Sequence, residues 1–203
     1  ISVDVLHVNR LPFLASISKN IHYSTIDALD NMRIPTMEST IRQLMRSYSV
    51  RGFNVVAIHV DIQFKSISDR NVLGPTVNVV SRGEHVPEIE RFIRVMKERA
   101  RCYHSMLKSV GINALPKIMV MHLMRTVNFY LNAFVWRQGV SQILSPFTIV
   151  EGIALDYNKH FHVIFGEYLR TYEGTTNTMA ERTTPGLALG PSGNLQGGIR
   201  VYS

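Results

Sequence analysis

A single cysteine, Cys102, in 203 residues excludes an internal disulfide and a cysteine-based zinc knuckle within this chain, and a reducing compartment is the simplest setting for it. No apolar run approaches the ~20 residues that span a bilayer, so no membrane partner is expected, and no signal peptide is visible. No serine sits in a Gly-x-Ser-x-Gly elbow. The glycines from Gly190 to Gly198 form no Gly-x-x-x-x-Gly-Lys phosphate loop and read as turn residues. Acidic residues are the minority, 15 against 22 Lys and Arg, giving a net charge of +7. That balance favours a polyanionic partner without saying anything about sequence preference. Eight histidines are present. Only His160 and His162 stand close together, and none has cysteine partners at zinc-ligand spacing, so packing or surface roles are expected of them. His85 stands apart because it immediately precedes a strong helical pattern.

What the chain does hold is apolar material for one good core, at 45% hydrophobic residues, with room for a small appendage. It opens at Ile1 inside a strand-like run and reads as a segment of something longer. Residues 1–8 and 11–18 are apolar runs separated by Asn9-Arg10, the pattern of an antiparallel hairpin, with 21–25 as a third strand. Met37, Ile41, Leu44 and Tyr48 have helical spacing after Pro35, and Arg51-Gly52 ends that helix. Residues 54–60 predict a buried strand, 77–80 a short one, and the stretch between them a helix-poor loop. The strongest amphipathic helix carries Val86, Ile89, Phe92, Met96, Ala100 and Leu107 on one face. Pro116 starts another, running to about Trp136, whose methionines and tryptophan read as core or partner surface. Ser145-Pro146 is an N-cap and first position of a short helix. Beyond Gly152 the pattern becomes β-like, with 161–172, 186–189 and 198–202 as strands. The predicted class is α/β: a mixed sheet flanked by helices, with a small C-terminal β extension. The expected division is 1–136 as a core domain, 137–152 as a connecting segment and 153–203 as a β module.

Three acids stand out against this background. Asp4 and Asp61 each lie in an apolar strand-like run, and Glu90 opens the basic helix. A carboxylate set in a strand is costly to bury unless a positive charge meets it. Three that converge at neighbouring strand ends and a helix start make a site for hard divalent cations. Two such ions side by side are the clamp used in phosphodiester chemistry. Glu90 falls in line with Arg94, Lys97 and Arg101 along the helix, whereas Glu88 lies about 200° away from it at ~100° per residue. The basic row reads either as a ladder of phosphate contacts or as a solvated face with ordinary i,i+4 pairing.

The residues also resemble a known family, the integrase region of copia-type retrotransposons. The resemblance rests on Ser2-Val-Asp-Val-Leu-His-Val-Asn, His59-Val-Asp-Ile-Gln-Phe and Val86-Pro-Glu-Ile-Glu-Arg-Phe-Ile-Arg, followed by Leu144-Ser-Pro-Phe-Thr-Ile-Val-Glu-Gly, Phe165-Gly-Glu-Tyr and Leu187-Ala-Leu-Gly-Pro-Ser-Gly-Asn. It implies a ribonuclease-H-like fold and an Asp-Asp-Glu site of Asp4, Asp61 and Glu90 holding two Mg²⁺ or Mn²⁺ ions. It further implies DNA contacts from Arg94 and Lys97, with Arg101 continuing the row. The implied partners are double-stranded DNA, as element ends and target, and further copies of the chain. The implied setting is the nucleus or a cytoplasmic particle. Two other readings stay open: a non-catalytic DNA-binding or assembly remnant of the same fold, and a ribonuclease-H-like nuclease that hydrolyses without strand transfer.

Overall fold

The computed structural model describes residues 1–70, 73–80, 86–172, 174 and 177–203. His85 lies outside them. Strands β1 (Ser2–Val8), β2 (Leu11–Ile17) and β3 (Ser24–Ala28) form an antiparallel meander. Helix α1 (Ile34–Val50) follows, then β4 (Ala57–Val60), a 3₁₀ turn (Ile62–Phe64), α2 (Lys65–Arg70) and β5 (Thr76–Val79). The long helices are α3 (Pro87–Ser109) and α4 (Lys117–Ala133). Short helices α5 (Pro146–Glu151) and α6 (Tyr157–His160) lead into a second sheet of β6 (Tyr168–Tyr172), β7 (Thr183–Pro191) and β8 (Ile199–Tyr202).

The main sheet has strand order β3-β2-β1-β4-β5, with β4 parallel to both β1 and β5. Alternation along β1 sorts its side chains between two cores. Val3 and Val5 join Leu14, Ile58, Val60 and the α1 residues Met37, Ile41 and Leu44 on one face. Leu6 and Val8 join Phe13, Ala15 and the α3 residues Ile89, Phe92 and Met96 on the other. Asp4 has the parity of Leu6, so it belongs to the α3 face.

The structure departs from the sequence reading at several boundaries: β4 begins at Ala57 and not at residue 54, β7 spans Thr183–Pro191 and not only 186–189, α4 ends at Ala133, and α6 was not foreseen. Three further differences have clear local causes. The third strand begins at Ser24, not at residue 21, because residues 18–23 close into a turn. Ser18 N donates to Tyr23 O at 2.9 Å, and His22 takes a left-handed φ of 58°. Residues 62–70, read as helix-poor, fold into the 3₁₀ turn and α2, burying Phe64 and Ile67 one helical turn apart. Residues 161–167 are not a strand. Val163 and Phe165 are buried anchors in a turn, and the strand starts only at Tyr168. His160, at the end of α6, is buried. Its ring nitrogens meet the backbone, Nδ1 at Asp156 O (2.9 Å) and Nε2 at Asn194 O (2.8 Å), which is a packing role.

The second sheet is fastened to α4. Phe165, Leu187 and Leu189 enter the core of α3 and α4, and buried Thr126 Oγ1 donates to Leu189 O at 2.7 Å. The next residue, Gly190, has φ +100° at a bulge in β7, and a Cβ there would strike the Thr126 side chain. Gly190→Ala is expected to cost roughly 2–4 kcal/mol, from backbone strain plus overpacking. Chemical denaturation checks this; an unchanged midpoint would show that the sheet gives way without cost.

Candidate functional site

The parallel pairing of β1 with β4 matches Ser2 to His59 and Val3 to Val60. One step further brings Asp4 level with Asp61, which directly follows the last residue of β4. Asp61 is therefore at a strand end as expected. Asp4 is not: it is the third residue of β1, because β1 runs on past the end of β4 to complete its hairpin with β2. Glu90 sits in the first turn of α3, where an acid suits the positive end of the helix, and next to Ile89, which is buried against the sheet.

Asp4 is half-buried. Its Oδ1 accepts from Val5 N at 2.7 Å and from Gln63 Nε2 at 2.9 Å. Asp61 is exposed and its Oδ1 accepts from Ile62 N at 2.6 Å, which caps the 3₁₀ turn. That turn is what swings Gln63 back over Asp4. The Asp4 carboxyl is pushed above its ordinary value of 3.8. Burial is the main cause, and the charges of Asp61 and Glu90 add to it, while the hydrogen bonds from Val5 and Gln63 oppose it. So the charges of Asp61 and of Glu90 both reach Asp4. Glu88 is not among the charges that act on Asp4.

The sign of this shift makes a prediction for the metal-free protein. A carboxyl with a raised folded pKa withdraws stability as pH climbs from the unfolded value, 3.8, through the folded one. Asp4→Asn removes that loss and keeps an acceptor for Gln63. Its melting temperature is expected to exceed the wild type's at pH 7 and to converge with it below about pH 3.8, where both side chains are neutral. A deficit at pH 7 in thermal denaturation would contradict the shift.

The donor set of carboxylates and one amide has the hard-oxygen chemistry that suits Mg²⁺ or Mn²⁺. Its spacing is looser than a closed cage: among the described residues, no three His, Cys, Asp or Glu side chains are grouped tightly enough to hold an ion. The structure thus brings Asp61 and Glu90 within electrostatic reach of Asp4 and leaves the three short of coordination.

The basic row divides. Arg94 and Arg101 are exposed and Lys97 is half-buried; Lys97 and Arg101 line a cavity of about 260 Å³ beyond the acidic cluster. His7, Asn9 and His104 line it too, and sequence spacing did not single out this grouping, because β1 supplies one wall and α3 the other.

No protein-family model matches this chain, and no curated protein does. Among solved structures, the chain is similar to the catalytic core domain of BIV integrase, with a TM-score of 0.53 and 18% sequence identity, over 74% of this chain and 92% of that one. At that identity the likeness shows the fold. The five-stranded mixed sheet with its flanking helices is the ribonuclease-H-like arrangement. No helix among the described residues is long and apolar enough to cross a membrane.

Proposed function

We propose that this chain is a polynucleotidyl transferase domain of the integrase type, of the copia-retrotransposon kind its motifs resemble, which joins DNA ends to a DNA target. The observation that carries the reading is the placing of Asp61 and Glu90 so that both charges reach Asp4, on a ribonuclease-H-like scaffold. Asp4, Asp61 and Glu90 would hold two Mg²⁺ or Mn²⁺ ions, which when bound supply activation of an attacking oxygen and stabilisation of the leaving one. The chain's own contribution is placement. Paired strands fix the level of Asp4 against Asp61, and the Gln63 amide holds the Asp4 carboxylate in one orientation until a cation competes for it. The first turn of α3 presents Glu90 on the face of the sheet to which Asp4 belongs. Arg94 and Lys97, one and two turns on, receive the backbone phosphates that lead away from the acids, and Arg101 extends the row.

The proposal includes double-stranded DNA as partner, self-association, action in the nucleus or a cytoplasmic particle, and a core of 1–136 joined through 137–152 to an appended module of 153–203. The experiment is incubation of a labelled duplex bearing a recessed 3′-hydroxyl with a circular DNA target and Mg²⁺ or Mn²⁺. Metal-dependent joining is the expected result. Nicking without joining would replace integrase with nuclease, and DNA binding with neither would make the chain a non-catalytic remnant.

A further inference from the structure

We infer that a cavity between α3 and the end of α4 binds a small aromatic anion, a flat ring system carrying one carboxylate, at a site separate from the acids and from the basic row. Arg99, Cys102 and Tyr103 share one face of α3, and Val127, Tyr130 and Phe134 share one face at the end of α4. Together they line a cavity of about 380 Å³. Lys97 and Arg101 line a different one, and each lies about 200° around α3 from Arg99 at ~100° per residue. The walls of the Arg99 cavity are rings that are held from behind. Tyr103 meets Phe165 edge to face at 6.2 Å, and Tyr130 and Phe134 each lean on Phe161 at 5.6 Å. A flat apolar group entering here meets a surface that is already ordered. Phe134 is nonetheless 57% exposed, so a ring laid over it removes aromatic surface from water.

Charge selects the other end of the ligand. No aspartate or glutamate lines the cavity, and Arg99 is its one charged residue. Among the described residues no ion pair engages Arg99. A guanidinium offers a carboxylate a fork of two bonds, and neighbouring rings strengthen the pair by excluding water. A cationic ligand would be repelled. Size sets the rest: a cavity of about 150 Å³ takes a benzene, so this one admits two fused rings with their carboxylate, within the range of small-molecule sites. The inference goes beyond the proposed function and uses neither the acids nor DNA.

Cys102 lines the same cavity, is exposed and is the only cysteine, so its reactivity reports occupancy. The test is the rate at which iodoacetamide alkylates the whole chain, followed by mass, against rising 2-naphthoate. Saturable slowing is expected. Arg99→Gln should raise the midpoint about 10-fold, the effect of losing one charge-assisted pair. Phe134→Ala should raise it a few-fold, since one ring of the wall is gone. Both side chains are exposed, so the fold is expected to survive both changes. Arg101→Gln removes the same charge from the same helix outside this cavity and should leave the midpoint unchanged. 2-Naphthol, a neutral ring of the same size, should protect only at about 10-fold higher concentration. Absence of saturable slowing, equal protection by 2-naphthol, or an equal effect of Arg101→Gln overturns the site. A mononucleotide that protects at lower concentration than 2-naphthoate also overturns it and hands the cavity to nucleic acid. Saturable protection in a chain that joins no DNA leaves this site standing and removes the proposed function alone.

Discussion

Asp4→Asn, Asp61→Asn and Glu90→Gln are each expected to lower metal-dependent strand transfer at least about 100-fold, because each deletes one charge from a cation site whose stabilisation amounts to several kcal/mol. The fold is expected to survive, since Asp61 and Glu90 are exposed and Asp4 is only half-buried. Glu90→Gln should also leave DNA binding intact or tighten it, since it takes a negative charge away from phosphates. Glu88→Gln is the matched control. It lies in the same first turn of α3 but is not among the charges that act on Asp4. Joining and cleavage assays on the four variants decide the matter. If Glu88→Gln is as damaging as Glu90→Gln, the third acid has been assigned to the wrong position of the helix.

The second large effect concerns DNA. Arg94→Ala with Lys97→Ala is expected to weaken duplex binding and to flatten the log–log salt dependence by roughly 1–2 units, at about 0.9 for each phosphate no longer neutralised. Binding should be sequence-tolerant throughout, because phosphate contacts position a protein without reading bases. Affinity measured across a range of salt gives both quantities. A double variant with the wild-type slope would return this row to an ordinary solvated face, leaving the net charge of +7 to act elsewhere.

How far the sequence carried these conclusions varies by element. The long amphipathic α3 was legible because Ile89, Phe92, Met96, Ala100 and Leu107 repeat at helical spacing over many turns, and all are buried. Ser145-Pro146 was legible because cap chemistry is local, and Ser145 does accept from Thr148 N. The helix at 65–70 was missed because one pair, Phe64 and Ile67, is too short a pattern to set against loop-like neighbours. The third strand was displaced because a turn closed by Ser18 and Tyr23 overrides β-propensity at Ile21. Phe165 was mistaken for a strand residue since burial by a turn leaves the same apolar mark as burial by a sheet. The choice of Glu90 over Glu88 rested on the resemblance, with helical phase setting Glu90 in line with the basic row; in the structure Glu90, and not Glu88, is among the charges that act on Asp4. The role of Gln63 in holding Asp4 was invisible, because it depends on the 3₁₀ turn that follows Asp61.

The central claim is that Asp4, Asp61 and Glu90 act together on one divalent-cation site. Melting temperature with and without Mn²⁺, in the wild type and in Asp61→Asn, tests it most directly. An ion bound at 100 times its Kd stabilises by about 2.7 kcal/mol, which in a chain of this size is a rise of roughly 5–10 °C. The account predicts that rise in the wild type and the loss of most of it in Asp61→Asn; equal shifts in the two proteins would contradict it.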